Sequence, residues 1–228
     1  LSNFMKNFLK VSFLFLLIII IFNKKIVSYY FIKKFSSWVE RPVLINQVSF
    51  NYSGNVQIKD IKILNSNKQY YENIFQAEKI EFVFDFKSLF SDLILIKKLN
   101  IINPEFFLDI KILEKNENSY EKTTVFSDNI GLAEKLNEKK PDKIWPQKDR
   151  DINFLIIDAV LSGSKGNVKV STIPKPISIN MSQMKFNNFG NEKNYRHYKD
   201  ILKIILFDLY ARIEKQEFKK ILKQIYKF

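Results

Sequence analysis

Near the N-terminus the residues Val11 to Phe22 read Val-Ser-Phe-Leu-Phe-Leu-Leu-Ile-Ile-Ile-Ile-Phe, and this run limits the chain more than any other feature. Val11, Phe13, Leu14, Phe15, Leu16, Leu17, Ile18, Ile19, Ile20, Ile21 and Phe22 leave only Ser12 to meet water. Such a run does not stay solvated at the start of a soluble domain, so it addresses a membrane. From Phe8, about fifteen residues at roughly 1.5 Å each reach about 22 Å, short of a hydrocarbon core about 30 Å thick. Lys6, Lys10, Lys24 and Lys25 can snorkel and extend that span. A cleaved signal peptide has an apolar region of this length. The residues that follow, Asn23 to Phe31, offer no small-x-small cleavage site, and Ile26 to Ile32 is bulky and aromatic like an interfacial collar. The expected element is therefore an uncleaved signal-anchor. Lys24, Lys25, Lys33 and Lys34 outnumber Lys6 and Lys10, so charge alone does not decide which way it inserts.

Past the anchor, Arg41-Pro42 ends any helix and the apolar period becomes two. Val48, Phe50 and Tyr52 alternate with polar residues, and Ser53-Gly54-Asn55 is a hairpin turn. Val56 and Ile58 then take one parity, Ile61 and Ile63 the other. That slip at Asp60 sends apolar side chains to opposite faces unless a β-bulge absorbs it. Ile80, Phe82, Phe84 and Phe86 share one face of a clear strand. Two further strands are expected, Leu93–Ile102 and one in which Phe106, Leu108, Ile110 and Ile112 alternate, with Asn103-Pro104 between them. Successive short strands joined by short turns predict an antiparallel meander.

From Glu114 to Arg150 charges intersperse and nearly cancel, and Pro141 and Pro146 interrupt regular structure, which predicts an exposed and largely disordered insertion with one helical turn pair around Leu132 to Leu136. Strands resume at Ile152, Phe154 and Ile156. Ser162 to Asn167 reads as a hairpin loop, followed by strands at Val168–Val170 and Ile177–Met181. A helix is expected over about 195–226, with Ile201, Leu202, Ile205, Leu209 and Ile213 on one stripe. Two placements suit it, a membrane surface or the apolar face of the sheet. The second is expected for its first half, with an exposed basic tail beyond Glu214.

The expected class is α+β: an N-terminal transmembrane helix, a curved antiparallel β-meander, groove-like or covered by helix, and a C-terminal amphipathic helix. The expected divisions are 1–35 anchor and collar, 36–113 first meander, 114–150 insertion, 151–190 second β segment and 191–228 helix.

No catalytic constellation is legible. His197 is the one histidine and there is no cysteine, so a standard zinc site is excluded and neither metal nor cofactor is expected. Gly163-x-x-Gly166 lacks the endings of phosphate loops. Asp85, Asp109 and Asp158 fall singly on strands, with no partner to divide acid and base duties. The net charge of +13 is spread along a lysine-rich, arginine-poor chain, with no compact element for nucleic acid. A leading Leu1 in place of Met is read as a non-standard start or a trimmed fragment.

The order of parts resembles the AsmA family of bacterial envelope proteins. The residues that carry the resemblance are Val48-Ser49-Phe50 through Gly54-x-Val56-x-Ile58-x-Asp60-Ile61-x-Ile63-x-Asn65, Ile80 to Phe86 with Ser88-Leu89-Phe90, Leu99-x-Ile101-x-Asn103-Pro104-x-Phe106, and Ile177-x-Ile179 to Phe189-Gly190 before an apolar helix. The resemblance implies a single-pass inner-membrane anchor with the bulk of the chain in the periplasm, Ser2 cytoplasmic and Ser164 periplasmic. It also implies a role in envelope biogenesis through a groove that binds or transfers phospholipid. Ile80, Phe82, Phe84, Phe86, Phe106, Leu108 and Ile110 are then the lipid-facing candidates. The other expectation is a structural module that recruits an envelope protein through its basic helix or charged insertion. Eight strands at about 4.8 Å give about 38 Å, too short to bridge two separated membranes.

Overall fold

The computed structural model describes residues 28–51, 53–66, 70–85, 87–88, 91–114, 124–130, 153–191 and 194–213. The run Val11–Phe22 lies outside them, as do Phe86 and the basic tail beyond Ile213. Among the described residues no helix is long and apolar enough to cross a membrane. The fold is α+β, a mixed sheet with two helices.

Helix α1 covers residues 28–39. Phe31, Phe35 and Trp38 recur at helical spacing and pack on the core, while Tyr29 and Tyr30 are exposed. Of the collar expected at a membrane interface, Ile26 and Val27 lie outside the described residues, Phe31 packs on the core, and Tyr29 and Tyr30 face solvent. Glu40 takes a left-handed φ of 54° and the Arg41 amide donates to the Ser36 carbonyl (3.2 Å), a Schellman closure. Pro42 then releases the chain into β1 (Val43–Phe50). Ile32 and the Val43–Asn46 stretch line one shallow surface depression, so α1 lies along this edge strand.

Strands β1, β2 (Asn55–Leu64), β3 (Asn73–Phe84) and β4 (Leu93–Glu114) form the expected antiparallel meander. Beyond β4 the sheet departs from the all-antiparallel expectation. β6 (Asn153–Ser162) and β7 (Lys165–Val170) both run parallel to β4. The long excursion after Glu114 supplies the crossover that a parallel pair requires. Part of that excursion is itself a strand, β5 (Thr124–Asp128), paired with Ile110–Glu114, where an exposed insertion was expected. Ser162–Asn167 is likewise not a hairpin: the chain turns a corner and continues along the same partner. β8 (Ile177–Asn180) pairs with β7, β9 (Met184–Gly190) with β6, and the short β10 (Arg196–His197) with β9 in parallel. Helix α2 (Tyr198–Ile213) comes last.

β4 is one strand of 22 residues, not two. Asn103-Pro104, expected to end it, instead creases it. The registers place Asn46, Asp60, Glu78, Asn103 and Gly163 in one row across the sheet. Asp60 (φ 52°), Asn103 (φ 50°) and Gly163 (φ 68°) are left-handed. On β2, Ile58 and Ile61 are both buried, as are Ala77 and Ile80 on β3. Residues three apart on a flat strand point to opposite faces, and the backbone irregularity along this row restores them to one face. Asn188 (φ 51°) stands in the same way between buried Phe186 and Phe189 on β9. Pro104, with no N–H for the ladder, sits where β6 gives way to β7.

The helices close the inner face. Tyr198 at the start of α2 meets Trp38 of α1 (ring centroids 5.7 Å) and Phe154 of β6 (5.9 Å), joining the two helices over the sheet. Leu209, with no exposed surface, packs so closely on Gly166 that a Cβ there would overlap its Cδ1. Ile201, Ile205 and Leu206 complete the contact.

The crease is testable by substitution. Asn103→Val forces a β-branched residue into the left-handed region and is expected to cost about 1–3 kcal/mol, whereas Asn103→Gly is expected to be close to neutral. Chemical denaturation of the two variants checks both.

Candidate functional site

The seven lipid-facing candidates do not form one open surface. Leu108 (0% exposed), Ile110, Phe106 and Ile80 are buried. Leu108 pairs with Val168 and Phe106 with Gly166, beneath α2. Phe82 and Phe84 are half-buried and stacked on each other (5.8 Å, 25°). They lie across the crease from Phe106, beside Val56 and Leu99. Phe86 lies outside the described residues. Of the candidates, Ile80, Phe106, Leu108 and Ile110 lie in the core, where Leu209 of α2 packs on Gly166 beside Phe106.

On the outer face, the crease forms an open groove of about 520 Å³ lined by Asp60, Glu78, Asn103, Glu105, Lys62 and Lys165. Asn46 donates to Asp60 (3.0 Å) and Asn103 to Glu78, so its carboxylates are engaged by amides. Among the described residues no three His, Cys, Asp or Glu converge as metal ligands. His197 sits on β10 half-buried, its Nδ1 accepting from the Lys199 amide (3.2 Å), with its ring against Tyr198 (4.6 Å).

A second cluster, not expected from the sequence, surrounds Asp109. This residue is 4% exposed although it belongs to the outward parity of β4. Its Oδ2 accepts the Tyr71 amide (3.2 Å), and its Oδ1 is buried with no hydrogen bond among the described residues. Asn129 covers it: Asn129 Oδ1 accepts the Asp109 amide (3.0 Å), and Asn129 Nδ2 donates to the Phe107 carbonyl (3.0 Å). Arg41 donates to the Asn129 carbonyl (2.9 Å), to Asn65 (3.3 Å) and to Ser66 (3.1 Å). Lys169, in register with Asp109, donates to the carbonyls of Ile173 and Pro174 and lies 5.2 Å from the Tyr70 ring centroid. Tyr71 packs between Tyr70 (4.9 Å) and Phe107 (5.1 Å).

The charges here are perturbed by burial. Desolvation raises the Asp109 carboxyl above its ordinary range, against the pull of the Tyr71 amide and Lys111. Desolvation, then the charges of Asp109 and Tyr70, push the Tyr71 phenol up to about 12. Burial lowers the Arg41 guanidinium. A phenol near 12 stays protonated at neutral pH, and no second carboxyl among the described residues shares a proton with Asp109. The cluster instead ties the α1–β1 joint, Asn65, Ser66 and Tyr71, and Asn129 at the end of β5 into one body. A lone strand aspartate carries no such signal, because its cover comes from segments 38 residues before it and 20 after it.

No protein-family model matches the chain, and no curated protein matches it.

The cluster has a defined pH signature. The folded state holds the Asp109 proton more tightly than the unfolded chain does. Stability therefore falls as pH rises from the ordinary carboxylate range through the raised value. Asp109→Asn is expected to raise the melting temperature at neutral pH and to lose that gain below the ordinary carboxylate range. For Tyr71 the contribution is full below pH 10 and lost as pH rises through about 12. Absorbance titration at about 295 nm is expected to show a late phenolate step that Tyr71→Phe removes.

Proposed function

We propose that the chain is a non-enzymatic protein held in the inner membrane by Val11–Phe22, with its β-rich part in the periplasm, serving envelope biogenesis as an AsmA-like module. The observation that carries this reading is the fastening of the α1–β1 joint both to α2 and to the end of β5. Trp38 of α1 packs on Tyr198, and Arg41 just past the helix donates to the Asn129 carbonyl, so α1 is held firmly to the rest of the folded part. The exposed Tyr29 and Tyr30, with Lys34 5.8 Å from the Tyr30 ring, suit the headgroup layer at its start. With Leu108, Phe106, Ile110 and Ile80 buried, the module works through its surfaces and recruits an envelope partner there.

A second reading, acyl-chain binding, draws support from the half-buried Phe82–Phe84 pair. Phospholipid recovered in stoichiometric amount with the purified chain, and lost in Phe82→Ser, would favour it over the surface reading.

Topology decides the compartment. Ser164 is 1% exposed and unsuited to labelling, so the exposed Lys175 takes its place. The sequence has no cysteine, so single Ser2→Cys and Lys175→Cys variants in intact cells can be treated with an impermeant maleimide. Labelling of Lys175→Cys alone is expected. Labelling of Ser2→Cys alone would place the β-rich part in the cytoplasm and remove the envelope role.

A further inference from the structure

Helix α2 uses only part of its circumference on the sheet. Tyr198, Ile201, Ile205 and Leu209 are buried on the inner arc, whereas Ile204 (43% exposed) and Phe207 (45% exposed) stand on the outer one. Successive helical residues turn by about 100°, which sets the exposed Ala211 between these two in phase. Ile204, Phe207 and Ala211 are thus spaced three and four apart along one line, the spacing of a seam between helices. The charges beside this line are of both signs. Lys203 lies on one flank, where it donates to Asp200 of the same helix (3.0 Å). Asp208, five residues after Lys203, lies half-buried on the other flank. Two carboxylates against one lysine make this face a poor match for an anionic surface.

We propose that the outer arc of α2 packs against the same arc of a second copy of the chain, the two helices running parallel about a two-fold axis. A parallel pair sets each seam residue against its own counterpart and joins opposite flanks. Lys203 of one copy then faces Asp208 of the other, and the symmetry repeats the contact. An antiparallel pair joins like flanks instead, setting Lys203 beside Lys203 and Asp208 beside Asp208. Charge therefore selects the parallel arrangement. Ala211 is small enough to let the axes approach to about 8–10 Å. The seam spans about two turns, so the pair is weak and its population depends on concentration. It specifies one surface contact beyond the function proposed above and does not depend on the compartment.

The test uses the full chain in mild detergent, where the sequence supplies no competing cysteine. Ala211 and Lys175 are both exposed, so a cysteine at either position leaves the core untouched. In a parallel pair position 211 meets itself. Ala211→Cys is therefore expected to form a disulfide-linked dimer on mild oxidation, at roughly threefold or more the yield of the control Lys175→Cys. Phe207→Ser in the Ala211→Cys chain is expected to return the yield to that of the control. Asp208→Lys sets lysines against each other and is expected to lower the yield roughly two- to fivefold, and adding Lys203→Glu is expected to restore most of the loss. A yield from Ala211→Cys equal to the control overturns the proposal. So does a higher yield from mixed Asp200→Cys and Ala211→Cys chains, which is the product of an antiparallel pair. A photoactivatable residue in place of Phe207, activated in native membranes, separates the other occupants. Adducts to α2 of a second copy support the pairing, and adducts to lipid or to a different protein reject it.

Discussion

The structure depends on keeping apolar side chains on one face of strands that change direction midway. A flat strand cannot do this for Ile58 and Ile61, because an odd step reverses the side chain. The row through Asp60, Asn103 and Gly163 supplies the correction, using residue types that enter the left-handed region at the lowest cost. Without it, half of every central strand would turn its isoleucines to solvent. With it, a ten-stranded sheet presents one continuous apolar face and bends around its own core.

A creased sheet still needs a lid, and both helices serve. The chain enters along α1, and a Schellman turn at Glu40 sets the angle at which β1 departs. It leaves through α2, whose Leu209 fits a space that only glycine at position 166 leaves open. Contact between Trp38 and Tyr198 makes the two lids one layer. On the opposite face, the cluster of Asp109, Asn129 and Arg41 fastens the same α1–β1 joint from outside. Its buried carboxylate lowers stability at neutral pH, a cost set against holding three distant segments together.

Much of this was legible in the sequence, and the misreadings have physical causes. The parity slip at Asp60 was visible and was resolved by its left-handed backbone. Asn103-Pro104 carries the same signal, yet it reads locally as a stop, because whether a proline ends a strand depends on what its neighbours need from it. Here β6 and β7 part at that point. Ser162 to Asn167 has the composition of a hairpin, and only the pairing of both its arms with β4 shows it to be a corner. Strand direction after a long excursion has no local code, so parallel β6 and β7 were not legible. Alternation found Leu108 and Phe106, and the C-terminal helix was expected over the sheet, but no local signal paired Leu209 with Gly166, since α2 lies about a hundred residues further along the chain. Asp109 was invisible for the same reason.

The central claim is that the inner face is filled by the chain itself. A photoactivatable residue in place of Leu108, activated in native membranes, tests this directly. Crosslinks are predicted within the chain, to the α2 peptide that carries Leu209, and none to phospholipid. A phospholipid adduct at that position would contradict the claim, since lipid could reach Leu108 only if α2 left the sheet.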